Sequence, residues 1–355
     1  MRIRSIPLIW FAFLLTFGPS AETCAQSAQW GFHGQAGYVL PHRSEMHALV
    51  TGHSWGVGAE RGRWSQSGWR ASWGDGSGIW EGVEYAWLDA GSPSMGQIAS
   101  AIWKVKIPVW SSVTTELGSG LGWALSPYHL EKRPLSFALG THLNAGLHLG
   151  LSATLAKMGS HDVVLTAGLT HFSNGAVAMP NLGINNLYVR LGIVPQKFQN
   201  GTPADKNPLE QPLVKWSSYS AIRAGIRDVN LPGGVQHPIT SCMVGIRRHF
   251  STRFAAVAAT DVSYNQSLRE TTGVALTAQD RTQWASQLGV DIRFGQAHLF
   301  LLQGWIWSNP DVALGRRHLH AAFGYEIWPQ WCLEIGLRSF RLRADYAYLG
   351  VCREF

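Results

Sequence analysis

Residues 161–195 read HDVVLTAGLTHFSNGAVAMPNLGINNLYVRLGIVP, and their parity decides the fold. Val163, Leu165, Ala167 and Leu169 occupy odd positions, whereas Asp162, Thr166, Gly168 and Thr170 lie among the even ones. Side chains alternate across a β-strand, so one face is apolar and the other is polar or small. The second half repeats the pattern, with Leu187, Val189, Leu191 and Ile193 set against Asn186, Tyr188, Arg190 and Gly192. Asn174-Gly175 and Pro180-Asn181-Leu182-Gly183 supply turn residues between the halves. The expectation is a hairpin with one continuous apolar face.

Three polar residues interrupt that face: His171, Ser173 and Asn185, all at odd positions. His171 and Ser173 point the same way at the end of the first strand. Asn185 opens the second, where antiparallel pairing sets it opposite or diagonal to His171. Taken alone, a His-x-Ser at a strand end is more often a pair hydrogen-bonded to its turn than a catalytic one.

The composition extends the strand reading to the whole chain. Among 355 residues there are 39 Gly and 17 Trp, 46% of residues are hydrophobic and only 14% are charged. No apolar run of the roughly 20 residues that a membrane helix needs follows the N-terminus. Many short alternating segments rich in Gly and aromatics fit a transmembrane antiparallel β-barrel. At the N-terminus, Arg2 and Arg4 precede an apolar run over 6–17, and Thr23-Cys24-Ala25 offers a cleavage site before Gln26. This predicts a secretory signal peptide over 1–25. A lipid-modified Cys24 is disfavoured, because no Leu stands three residues before it. Cys242, Cys332 and Cys352 then remain, an odd number that argues against a disulfide framework and leaves open which two could pair.

Taken in order, strands are expected at 32–40, 46–58, 79–88, 95–109, 113–124 and 141–155, ahead of the two in the hairpin. The stretch 61–78, with its GDGSG, is read as a connection, since no Lys or helical pattern follows to make a phosphate loop. His142 and His148 fall on the polar, lumen-facing side of the 141–155 strand. Six residues apart, they stand roughly 20 Å from each other, too far for one metal ion. Residues 196–213, rich in Pro, Asn, Gln and charge, form a linker between 26–195 and 214–355. Further strands are expected at 219–229, 239–250, 254–264, 284–294, 298–307, 318–327, 331–340 and 345–355, giving about sixteen in all, an even number as outer-membrane barrels have. Short turns alternate with long loops, which places the turn of the 161–195 hairpin at the external end. Two architectures fit: one wide barrel, or an eight-stranded barrel closing near Pro195 with the rest as a second barrel or sheet. The absence of an independent globular pattern after the linker favours the single barrel.

The string HFSNG followed by PNLGIN resembles the lipid A 3-O-deacylase (PagL) family of the bacterial outer membrane. The resemblance spans roughly 31–195 and is dense over 141–195. It implies an eight-stranded barrel carrying an ester hydrolase on its outer surface, with Ser173 as nucleophile and His171 as general base. Its implied substrate is lipid A of lipopolysaccharide in the outer leaflet, reached sideways through the membrane, and its implied location is the bacterial outer membrane. Asn174 and Asn181, beside the turn, are the candidates for stabilising an oxyanion. The family usually has Glu where this chain has Asn185. An amide orients an imidazole but does not compensate its charge, which predicts slower chemistry or a carboxylate borrowed from elsewhere. The C-terminal Phe355, after Tyr346, Tyr348 and Leu349, resembles the signal read by the barrel-assembly machinery. The net charge of +7 suits an anionic lipid headgroup. No nucleic-acid module, nucleotide loop or metal cluster is visible, and no cofactor is expected. The competing class is a non-catalytic structural barrel or channel that keeps the deacylase fold.

Overall fold

The computed structural model describes residues 27–66, 69, 70, 73, 78–196, 215–229, 234–341 and 343–355. The expected leader lies outside these residues, as do most of GDGSG and all of the expected linker except Gln196.

In the first half, the alternating segments become β1 (Gln29–Val39), β2 (Ser54–Ser65), β3 (Ile79–Asp89), β4 (Gln97–Trp110), β5 (Val113–Ala124), β6 (Leu143–Met158), β7 (His161–Ser173) and β8 (Ile184–Pro195). In the second half they become β9 (Trp216–Asp228), β10 (Gln236–His249), β11 (Phe254–Asn265), β12 (Thr282–Phe294), β13 (Ala297–Ile306), β14 (Arg317–Trp328), β15 (Trp331–Phe340) and β16 (Arg343–Glu354). Each strand pairs antiparallel with its chain neighbour, and each half closes on itself. β1 meets β8 with Phe32 opposite Ile193 and Gly34 opposite Leu191. β16 meets β9 with Ala347 opposite Ile226. The single wide barrel favoured from the sequence is therefore wrong, and the chain folds into two closed eight-stranded barrels.

Inward-facing charge explains why the first barrel is narrow. Glu60 on β2, Glu84 on β3 and Glu116 on β5 meet Lys104 and Lys106 on β4 and Arg190 on β8, all buried. Lys104 Nζ lies 2.7 Å from Glu84, 2.8 Å from Glu116 and 3.4 Å from Glu60. Arg190 reaches Glu84 at 2.6 Å, and Lys106 pairs with Glu60. Charges buried from water are tolerable only when closely paired. Opposite walls come within side-chain reach only in a barrel of about this strand number. Towards the end where β7 finishes, Val39, Leu88, Ile98, Ile102, Phe172 and Ile184 form an apolar plug. Gly122 on β5 leaves room for it, since a Cβ there would come 2.5 Å from the Phe172 ring.

The second barrel is filled in the same manner. Arg223 pairs with Glu334, Arg338 with Asp345 at 2.7 Å, and Arg247 with Glu354 at 2.8 Å. Cys332 and Cys352 stand opposite each other across β15 and β16, and all three cysteines of this half are free.

On the outside of the first barrel, Leu147, Leu149, Leu151, Leu187, Val189 and Leu191 are exposed, as parity requires. Exposed aromatics bracket them, with Trp30 and Trp110 towards one end and Tyr38, Trp55 and Trp123 towards the other. On the second barrel Trp216, Phe254, Trp328, Trp331 and Phe355 edge one end, and Trp284, Trp305 and Trp307 the other.

Four details depart from the sequence reading. His142 precedes β6, is exposed and stacks on Trp123 at 5.1 Å, with its Nδ1 on the Ala124 carbonyl at 2.7 Å, so it does not line the lumen. β2 begins only at Ser54, because Met46 is drawn into the plug on a single 3-10 turn, Ser44–Met46. β2 also runs on to Ser65, pairing residues 61–65 with 79–83 of β3, so the connection shrinks to 66–78. The loop expected at 265–281 holds a one-turn helix, Leu268–Thr272.

Replacing Lys104 leaves three buried carboxylates with Lys106 and Arg190 as the remaining lysine and arginine partners. Lys104→Met is expected to destabilise the first barrel by about 3–5 kcal/mol, measured as a lowered urea midpoint of the detergent-folded chain. An unchanged midpoint would show that the lumen tolerates unbalanced acid.

Candidate active site

β7 and β8 are adjacent antiparallel strands, and His171 is directly opposite Asn185. Both side chains lie on the outer face, two rungs from the exposed Leu187. His171 Nδ1 and Asn185 Oδ1 are 2.6 Å apart. An amide oxygen only accepts, so the imidazole donates through Nδ1–H, and in the neutral ring Nε2 then carries the lone pair. The ring is seated by Gly183, whose φ of +78° is the left-handed conformation that suits glycine. A Cβ at Gly183 would stand 3.1 Å from His171 Cε1 and 3.3 Å from the Phe172 carbonyl.

Ser173 follows two residues on, with the same outward parity, and its neighbour across β6 is Ala145. Same-face residues on one strand are separated by about 7 Å, a span that an imidazole and a hydroxymethyl can bridge between them. Although it faces outward, Ser173 is only 7% exposed. Asn181 accounts for part of this cover: its Nδ2 donates to Ser173 Oγ at 2.9 Å, while its Oδ1 accepts the Asn174 backbone N–H at 3.3 Å. Asn181 is in turn fixed by a β-bridge to Leu139 in the loop between β5 and β6.

The structure thus gathers His171, Ser173, Asn185, Asn174 and Asn181 at one end of β7 and β8. The two oxyanion candidates differ in position. Asn181 presents an N–H donor to the serine hydroxyl, while the Asn174 backbone N–H is committed to the Asn181 side chain and so orients that donor. Among the described residues, no carboxylate is hydrogen-bonded to His171 or Asn185. The second partner of Asn185 is His42, from the loop after β1, whose Nδ1 is 2.9 Å from Asn185 Nδ2 and whose Nε2 is 3.0 Å from the Leu182 carbonyl.

Sequence reasoning missed His42 and the seat at Gly183. The signal for His42 was closure of β1 on β8, which brings Leu40 N–H to the Asn185 carbonyl at 2.8 Å and carries His42 to the site two residues later.

Chemically, the arrangement is a hydroxyl with an adjacent amide donor, a neutral imidazole held in one tautomer, and an apolar surface beside them. That is the equipment for nucleophilic attack on an acyl carbon. Gly183→Ala is expected to cost about 1 kcal/mol or more of stability through its left-handed φ. It should also displace the His171 ring, seen as a shift of that imidazole's NMR resonances; a silent substitution would mean that the ring is not seated there.

Comparison with known proteins gives one family match. Residues 53–194 match the family model described as lipid A 3-O-deacylase (PagL). No curated protein matches the chain. Among solved structures, two mutants of the Rhodopseudomonas blastica porin each align over 92% of this chain and 100% of theirs, at 11% identity and a TM-score of 0.21.

Proposed function

Residues 53–194 belong to the lipid A 3-O-deacylase (PagL) family, and we propose that the first barrel is an outer-membrane esterase that removes an ester-linked acyl chain from lipid A. The observation that carries this reading is the outward pair at the rim of the apolar belt: His171 locked by Asn185 at 2.6 Å, beside a serine that already receives an amide N–H at 2.9 Å.

The exposed aliphatic band between two sets of aromatics is the surface that a bilayer covers, with aromatics at its interfaces. This supports insertion in the outer membrane with the ends of β7 and β8 near the outer leaflet. There the ester bonds of lipid A lie just beneath the sugar headgroup. A lipid diffusing sideways meets Ser173 without passing through the lumen. Phe355, at the end of the last strand, is the residue we assign to recognition by the barrel-assembly machinery.

In the reaction, His171 Nε2 takes the Ser173 proton as Oγ attacks the ester carbonyl. The carbonyl π electrons move to oxygen, and the Asn181 Nδ2–H group stabilises the anion. Collapse breaks the C–O bond to the sugar, whose oxygen takes the proton from His171. Water, deprotonated by the same imidazole, then releases the fatty acid and restores Ser173. Asn185 holds the ring but leaves its positive charge uncompensated, so the rate stays below that of a carboxylate-assisted site.

The competing channel reading gains nothing from lumens packed with paired charges and aromatics, as both are. A barrel that keeps the fold without the chemistry is the outcome that the following experiment would reveal. Placed in an outer membrane, the intact chain is expected to lower the mass of lipid A by one acyl group. Ser173→Ala should abolish that change while the barrel still folds, and Asn181→Ala should cut kcat by about 10²–10³-fold. Identical lipid A masses with the intact protein and Ser173→Ala, across several lipid A forms, would falsify the enzyme reading.

Asn185→Glu restores a charge opposite the imidazolium that forms in the transition state. It is expected to raise the rate of ester release. A loss would show that the site is built around the amide.

A further inference from the structure

An amide at position 185 creates a problem that a carboxylate does not have. Both oxygens of a carboxylate accept hydrogen bonds, so either can face a histidine. An amide has one accepting end and one donating end of nearly equal size, and its orientation is set only by its neighbours. If Asn185 turned Nδ2 towards His171, that nitrogen would donate to Nδ1. The imidazole proton would then sit on Nε2, the atom that must take the serine proton. The base would be lost without any atom moving far.

We propose that His42 is a positioning residue that fixes the orientation of the Asn185 amide and, through it, the tautomer of His171; the proposal rests on the esterase reading only for its effect on rate. The polarity can be followed from a group that has no choice. The Leu182 carbonyl only accepts, and it lies 3.0 Å from His42 Nε2, so Nε2 carries a proton. His42 Nδ1 then holds a lone pair and accepts from Asn185 Nδ2 at 2.9 Å. That leaves Asn185 Oδ1 towards His171, where it accepts Nδ1–H at 2.6 Å. His171 Nε2 is left bare.

The opposite assignment fails. His42 Nδ1 also lies 3.3 Å from the Leu40 carbonyl, which could in principle receive a proton from it. In the neutral ring, a proton on Nδ1 would set the lone pair of Nε2 against the Leu182 carbonyl, which can only accept. The Leu40 carbonyl already receives the backbone N–H of His42 at 3.0 Å. The polarity that satisfies both short contacts is the one that bares His171 Nε2.

His42 lies in the loop after β1, and Asn185 opens β8. Only closure of β1 onto β8 brings them together, with Val39 opposite Asn186 as the last rung of the pairing. The serine, its amide donor and the lipid-facing leucines stand on other residues. Losing His42 therefore affects the base rather than the binding of substrate.

The test uses the full chain folded in detergent, with ¹⁵N-labelled histidine. The His171 resonances are assigned by their disappearance in His171→Gln. In the intact protein, the His171 shifts should report one neutral tautomer, protonated on Nδ1. In His42→Ala they should move to a mixture of tautomers, and His42→Gln, whose amide oxygen can accept from Asn185 while its NH₂ reaches Leu182, should restore the single form. On lipid A, His42→Ala should lower kcat about tenfold or more with KM little changed. In an Asn185→Glu background, the same substitution should change kcat by less than about twofold, because a carboxylate needs no orienting. An unchanged His171 tautomer in His42→Ala overturns the proposal, as does an equal loss of rate in the Asn185 and Asn185→Glu backgrounds. A tautomer that shifts as expected in a protein that never deacylates lipid A leaves the positioning role standing and removes the esterase reading instead.

Discussion

Balanced charge inside the first barrel is the constraint from which the rest of that barrel follows. Glu60, Glu84 and Glu116 are buried with Lys104, Lys106 and Arg190, and none of these six could be moved to the outer face without exposing the remainder unpaired. In a strand, fixing one face fixes the other, and a slip of one residue exchanges them. The ring of ion pairs therefore holds the register of β2, β3, β4, β5 and β8. Through β8 and its pairing with β7, it also determines which residues meet the surroundings of the barrel. His171, Ser173 and Asn185 lie outside because Arg190, Thr166 and Tyr188 lie inside.

That dependence accounts for what the sequence revealed. Alternation is a local signal, and it located all sixteen strands. β5 was found to the residue. It also placed His171, Ser173 and Asn185 on one face, because parity within a hairpin needs no knowledge of the remaining chain. The ends of elements were less legible. Met46 looked like the start of a strand because it is apolar, but it plugs the barrel mouth, and tertiary burial overrode the local pattern. His142 fitted the alternation of β6 by parity alone, but it sits one residue before the strand begins.

Closure was the feature that alternation alone did not decide, although the family resemblance implied an eight-stranded barrel. The two halves alternate in the same way, and nothing local separates one sixteen-stranded sheet from two of eight. The distinction rests on pairs such as Phe32 with Ile193, distant in sequence and neutral in composition. The cross-lumen pairing of Arg190 on β8 with Glu84 on β3 was hidden for the same reason, since β1 and β2 lie between those strands and the two side chains meet only in a narrow barrel. His42 was a further consequence: its position beside Asn185 is a property of the seam, not of either strand.

The same seam bears on why an amide can stand where the family usually has an acid. A carboxylate at 185 would be an ion at the rim of an apolar belt, with its charge balanced only once His171 is protonated. Its advantage is realised in the transition state, and its desolvation is borne in every resting molecule. The amide reverses that balance. It keeps the hydrogen bond to the His171 ring without adding a charge, and on the proposed esterase reading it would give up charge compensation at the moment of proton transfer. It also brings a new demand, because an amide has polarity where a carboxylate has symmetry. A group that supplies the polarity must come from outside β7 and β8, since His171 and Asn185 are each other's direct partners across that pair. The strand that closes the barrel against β8 is β1, and the loop leaving it carries His42. In this chain the pairing that shuts the barrel is thereby also the one that brings His42 to Asn185, the contact on which the proposed orientation of the His171 ring rests.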